Sequence, residues 1–192
     1  VGFFDDVQPE FPRLRPRMAW ERPESAIPAA VATSGIVLAR TDEAAVAISG
    51  LSGYPNGFDL WLVATLRSKQ RPLGTTMLLS DTEESQEVRP EFLRFGIQFA
   101  DGRRCTNLTV GGPRMRDTEP HDPTLQMMTT GGGRRFADWR LWVWPLPPPG
   151  PLTFVCQWPA FDIPVKRPGF RGDSVTWIRP LRGRVFQGSA RS

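Results

Sequence analysis

Apolar and polar positions alternate with a period of two through several short segments of this chain. The clearest runs from Phe92 to Asp101: Leu93, Phe95, Ile97 and Phe99 fall on one face, Arg94, Gly96, Gln98 and Ala100 on the other. Alternate side chains point to opposite sides of a strand, so this pattern predicts a half-buried β-strand. Asp101-Gly102 then marks a hairpin turn, with a return strand over Arg103 to Val110 that sets Arg94 and Gln98 beside its polar positions. Phe58 to Arg67 alternates too. Phe58, Leu60, Leu62, Ala64 and Leu66 form one face, while Asp59, Trp61, Val63 and Thr65 form a second, partly apolar face that predicts a central strand. Gly35 to Arg40 and Ala44 to Ser49 are shorter runs. Tyr54-Pro55-Asn56-Gly57 reads as a turn in which Asn-Gly supplies positive φ cheaply.

Four of the seven Trp lie between residues 139 and 164. There, two apolar strands are expected at Asp138 to Trp144 and Leu152 to Trp158, joined by the stiff bridge Pro145-Leu146-Pro147-Pro148-Pro149-Gly150-Pro151. Trp142 and Trp144 share one face and Trp139 the other, so some of these rings must be core. Ser68 to Glu91 and Gly111 to Phe136 read as long polar loops. Many short strands and turns, with no helical period and no repeat, predict an all-β chain: an antiparallel β-sandwich, jelly-roll-like, of about seven or eight strands. It divides into a Pro-rich arm (residues 1–32), a sandwich domain (33–164) and a basic Arg/Gly-rich tail (165–192). The arm has prolines at 9, 12, 16, 23 and 28, which disfavour helix. A largely disordered leader is the plain reading of it. The sharper one is a docking arm whose Phe3, Phe4, Phe11 and Trp20 bind a partner or the domain itself.

Charge changes this picture only at the end of the chain. The net charge is +4, from 24 basic and 20 acidic residues. From Ile163 onward there are seven basic residues and one acid, Asp173, so the earlier part carries 17 basic and 19 acidic groups, a net of −2. A basic domain surface of the nucleic-acid-binding kind is therefore not expected, except through the tail. No run reaches the roughly 18–20 apolar residues of a membrane-spanning helix, and the acidic start Val-Gly-Phe-Phe-Asp-Asp is not an export signal. A cytoplasmic protein is expected. Cys105 and Cys156 are expected as buried thiols, and the sequence leaves open whether they pair.

Candidate chemistry is sparse. His121, the only histidine, lies among Asp117, Glu119 and Asp122. Imidazole and carboxylates suit divalent ions, but this spacing matches no closed motif, so a solvated loop without metal is expected. No Gly-x-Ser-x-Gly elbow is present, and neither cysteine has an obvious base. Asp59 and Glu91 are the best-placed carboxylates for glycoside hydrolysis, though nothing local marks them. Gly131-Gly132-Gly133-Arg134-Arg135 lacks the strand-to-helix setting of a phosphate loop. Trp61, Trp139, Trp142, Trp144 and Trp158 could stack sugars if exposed.

Four stretches together resemble a group of uncharacterised proteins from high-GC Gram-positive bacteria (actinobacteria): the Gly-Phe-Phe-Asp-Asp start, the segment Leu38 to Ala47, and the motifs Phe92 to Gly102 and Trp142 to Ala160. The resemblance spans about residues 2 to 164. It implies a bacterial, cytoplasmic protein and carries no activity, cofactor or catalytic residue. After Pro164 the chain departs from that group, which ends in an acidic, alanine-rich segment. A shifted reading frame would explain the charge reversal, and an intact tail confirmed by mass spectrometry would sink that idea. The leading expectation is a non-enzymatic β-sandwich without cofactor that acts through contact with a protein partner, with Phe3, Phe4, Phe11, Trp20, Trp139, Trp142 and Trp144 as candidate anchors. The alternatives are a carbohydrate-binding or small hydrolase-like sandwich, and weak nucleic-acid binding through the tail.

Overall fold

Alternation becomes strand almost wherever it is clean. The computed structural model describes residues 18–24, 28, 30–32, 35–68, 88–108, 118–167 and 169–170. Its strands are β1 (Ala30–Ala32), β2 (Ile36–Arg40), β3 (Ala44–Tyr54), β4 (Gly57–Leu66), β5 (Arg94–Gln98), β6 (Arg104–Thr106), β7 (Thr124–Gly132), β8 (Phe136–Trp144), β9 (Leu152–Trp158), β10 (Ile163–Lys166) and β11 (Gly169–Phe170). All pairings are antiparallel. The first sheet runs β1–β3–β4–β8–β7, and β2 shares with β1 the same edge of β3. The second runs β10–β9–β5–β6, and β11 shares an edge of β9 with β10. This is the expected all-β antiparallel sandwich. No α-helix occurs among the described residues; Pro159–Phe161 makes a 3₁₀ turn.

The core lies between the sheets. Ile48, Phe58, Leu60, Leu62, Trp139 and Leu141 from the first face Leu93, Phe95, Ile97, Phe154, Cys156 and Trp158 from the second, all essentially inaccessible. Removing each such side chain from water contributes about 1.5–3 kcal/mol. The first-sheet register carries the alternation across strands: Leu60 faces Leu51 and Leu141, and Leu62 faces Ile48 and Trp139. β4 is central, as its two partly apolar faces predict. The proline bridge does more than join two strands: it carries the chain from β8 in one sheet to β9 in the other, and its Trp144–Pro145 peptide is cis.

Four expectations need correction or refinement. Residues expected as a loop over Gly111 to Phe136 contain β7. This strand was hidden because Thr124–Gly132 is polar and glycine-rich and because a bulge at Met128 breaks its alternation. Together with the short strands β1, β10 and β11, β7 takes the strand count beyond the seven or eight legible in the pattern. The turn after Tyr54 uses no positive φ at Asn56 or Gly57. Gly57 is required for space instead: a Cβ there would meet the Val143 carbonyl oxygen and lie 2.7 Å from the Trp142 ring. The glycine run 131–133 neither cradles a phosphate nor forms an open loop. Gly132 sits at φ +126°, and the Gly133 N–H donates to the Phe136 carbonyl (2.7 Å), closing the β7–β8 hairpin. Finally, Gln98 faces Arg104 on the return strand as expected, but Arg94 faces Gln157 of β9. Beyond Thr106 the Asn107 side chain replaces the ladder. It accepts from Phe95 N–H (2.8 Å) and donates to the Leu93 carbonyl (2.8 Å).

Candidate functional site: the outward face of the first sheet

The outward residues of β2, β3, β4 and β8 form rows fixed by register. One row is Val37, Ala47, Val63 and Asp138; the next is Gly50, Trp61 and Arg140; a third is Ala45, Thr65 and Phe136. Three large apolar side chains on this face stand open to solvent: Val37 at 62%, Trp61 at 38% and Phe136 at 54% exposure. Small neighbours at Ala45, Ala47 and Gly50 keep the surface between them low. An open face that presents Trp, Phe and Arg side chains has the composition of an interface centre.

The same face becomes polar and then closed toward the β3–β4 turn. Asp59 is 1% exposed, and its Oδ2 accepts from Arg140 Nε (3.0 Å) and from Arg140 Nη2. Asp59 opposes Trp142 while Trp61 opposes Arg140, so the ion pair is a diagonal cross-strand contact. The Arg140 guanidinium also lies 5.9 Å from the centre of the Trp61 ring. Burial raises the Asp59 carboxyl above its ordinary range, although the hydrogen bond and charge of Arg140 pull the other way. Burial and the neighbouring Asp59 raise the Tyr54 phenol, and the same carboxylate raises Arg140. Asp59 Oδ1 has no hydrogen-bond partner among the described residues, nor do Gln126 Oε1 and Thr124 Oγ1 on the adjoining β7.

Beyond Asp59, residues 18–24 cover the sheet. Trp20, Tyr54, Trp142 and Trp144 form a second buried cluster, with Met18 and the bulge residue Met128 packed against it. Trp20 meets Trp144 edge-on with centroids 6.3 Å apart, and Tyr54 meets Trp142 likewise at 5.8 Å. Trp142 Nε1 donates to the Trp20 carbonyl (3.0 Å). Asn56, at the turn, holds the segment from the other side. Its Nδ2 donates to the carbonyls of Ala19 (2.7 Å) and Arg22 (2.9 Å), and its Oδ1 accepts from Glu24 N–H (2.9 Å).

The anchors expected from sequence therefore distribute unevenly. Trp139 lies wholly in the core between the sheets; Trp142, Trp144 and Trp20 are buried against one another, so none of the four offers a ring to a partner. Phe3, Phe4 and Phe11 lie outside the described residues. Trp61, weighed in the sequence only as a sugar platform, is the exposed indole. Its relevance was signalled by the apolar second face of β4, but Phe136 and Arg140 join it through a pairing between strands some 80 residues apart in sequence. A sugar-stacking stripe is not formed: Trp139, Trp142, Trp144 and Trp158 are all buried.

The remaining candidates are dispersed. Asp59 and Glu91 are not brought together, since Asp59 points outward from the first sheet and Glu91 leads into β5 of the second. Glu119, His121 and Asp122 are exposed, Asp117 lies outside the described residues, and no three His, Cys, Asp or Glu side chains gather among the described residues. Cys105 and Cys156 are free thiols on the two strands flanking β5. Burial pushes the Cys105 thiol up to about 12 and that of Cys156 to about 11, which leaves little thiolate for nucleophilic work. Of the basic tail, only residues 165–167 and the backbone of 169–170 are described. No described helix is long and apolar enough to cross a membrane. No protein-family model matches the chain, and neither a curated protein nor a solved structure matches it.

Proposed function

We propose that this is a non-enzymatic β-sandwich protein of the bacterial cytoplasm that works through protein–protein contact, with the outward face of β2, β3, β4 and β8 as its contact surface. The observation that carries this reading is that Val37, Trp61 and Phe136 stand open on the same sheet face, with Arg140 beside Trp61. Soluble domains seldom leave aromatic residues open on a sheet that already has a filled core on its other side. Arg140 is held in place by Asp59, so little side-chain entropy is lost when a partner covers it. The buried carboxylate is engaged by an arginine, which gives a hydrolytic reading less support than a contact surface.

The test is a Trp61→Ser, Phe136→Ser double variant. It should keep the wild-type circular dichroism and a cooperative thermal transition, because both side chains are open. Tagged wild type and variant are compared by quantitative mass spectrometry of co-purified proteins. A partner recovered with the wild type and reduced at least about ten-fold with the variant is expected, given what central interface aromatics contribute. Identical partner sets, with the fold intact, would remove this face from the proposal.

A further inference from the structure

The outward face of the second sheet carries a separate feature. A groove of about 210 Å³ lies across β6, β5 and β9, floored by Gly96 and Val155 and rimmed by Leu108 and Val165. Leu108 and Val165 are both open to solvent. The groove exists because Gly96 has no side chain: a Cβ there would lie 3.0 Å from Thr106 Cγ2 and 3.1 Å from the Cys105 carbonyl oxygen. Among the described residues three arginines, Arg94, Arg104 and Arg167, line it, and no acidic residue does. Arg94 is half-buried. It donates to Gln157 Oε1 (2.9 Å) and to the Val88 carbonyl (3.0 Å), yet its buried Nε has no partner and no carboxylate meets its charge among the described residues. A partly desolvated guanidinium without a counter-charge is costly, and an incoming carboxylate offsets that cost.

We infer that this groove docks an extended acidic peptide segment of a partner protein, with an apolar side chain over Gly96 and carboxylates at Arg94, Arg104 and Arg167. Charge complementarity selects the acid. The apolar floor and rims select a peptide over a nucleic acid, since the groove has no open aromatic ring among the described residues on which a base could stack. The spacing agrees: outward residues along β5 recur every second position, the repeat of an extended peptide lying beside it. This inference is independent of the contact surface on the first sheet.

Fluorescence anisotropy tests it with the labelled peptide Glu-Leu-Glu-Leu-Glu on the full chain. The peptide Lys-Leu-Lys-Leu-Lys and a single-stranded oligothymidylate serve as controls. The acidic peptide should bind, more weakly as salt rises, and the Arg104→Glu, Arg167→Glu variant should lose at least about ten-fold in affinity. Both arginines are exposed, so the variant keeps its fold. Undiminished binding by that variant, or tighter binding of the oligothymidylate, overturns the inference. A second chain, with Asp81→Asn, Glu83→Gln, Glu84→Gln and Glu87→Gln, neutralises the acidic cluster of the connection that precedes β5. Peptide binding seen only in that chain would overturn the partner as occupant and give the groove to the chain's own segment; binding in neither chain overturns the groove.

Discussion

The two faces of the first sheet are built from the same strands and solve opposite problems. Inward, Leu60, Leu62, Trp139 and Leu141 meet a second sheet and are sealed by side chains from β5 and β9. Outward, no second layer of sheet exists among the described residues. One end is covered by residues 18–24 through Trp20 and three hydrogen bonds at Asn56, the middle holds a buried ion pair, and the far end is left open at Trp61 and Phe136. A period of two distributes side chains between faces but does not say what covers each one. Aromatic content therefore reports stability on one face and exposure on the other. The comparison predicts effects graded by what lies above each residue.

The largest contrast uses neighbours in one register. Trp139 faces Leu62 inward, and Trp61, one residue earlier on β4, faces outward. Trp139→Ala should cost about 3–5 kcal/mol, from lost burial plus the cavity left behind. Trp61→Ala should cost distinctly less, about 1 kcal/mol, because its ring is only partly covered and its contact with Arg140 is screened by solvent. Urea unfolding of both variants decides the matter; similar midpoints for the two would erase the distinction between the faces.

Next comes the ion pair. Arg140→Ala leaves the Asp59 carboxylate buried without its charged partner. Breaking a fully buried pair costs about 3–5 kcal/mol, but Arg140 is 35% exposed and partly screened, so about 2 kcal/mol is expected. The pH dependence has a definite sign. Burial raises the Asp59 carboxyl above 3.8, so just above that pH the native state keeps a proton that the unfolded chain has released. Stability from this group is present below 3.8 and falls as pH rises through the folded value. Asp59→Asn should flatten that decline. Equal slopes for wild type and variant in urea midpoints measured from pH 3.8 upward would refute the assignment.

Covering by residues 18–24 should be separable from the fold. Asn56→Ala removes three hydrogen bonds to that segment and touches nothing between the sheets. The expected result is faster proteolysis near Trp20 and brighter exposure of Trp142 to a fluorescence quencher, with global stability lowered by only about 1 kcal/mol. A loss as large as that of Trp139→Ala would mean that the segment is part of the core.

The inward face was legible in sequence because every condition for it is local. Phe58 to Leu66 and Leu93 to Phe99 show their burial by alternation alone, and the split of Trp139 from Trp142 and Trp144 follows from parity. The outward face was not, because its meaning depends on pairings distant in sequence. Asp59 could be named as a carboxylate, but Arg140 reaches it only through the β4–β8 ladder, and Trp20 finds Trp144 across more than a hundred residues. β7 escaped because one extra residue, Met128, shifts the parity midway: Met128 packs on the outer cluster, and Thr129 after it also falls on the outward side, opposite Arg140. The groove over Gly96 was invisible for a related reason: it is made by an absent side chain, and its arginines come from two strands, β5 and β6, and the chain beyond β10.

The smallest effect tests how well the covered end is satisfied. Thr124 faces Trp144 at the outer end of β7, and its Oγ1 is buried without a partner among the described residues. A hydroxyl taken out of water unpaired carries a desolvation penalty that an apolar group of the same shape does not. Thr124→Val keeps the branched shape and suits a strand equally well, so it should stabilise the protein by about 1 kcal/mol. Were this hydroxyl instead satisfied when the face is covered, by water or by a partner, the same change would destabilise by a similar amount. The sign of one urea midpoint shift therefore separates a face closed by its own chain from one completed by something else.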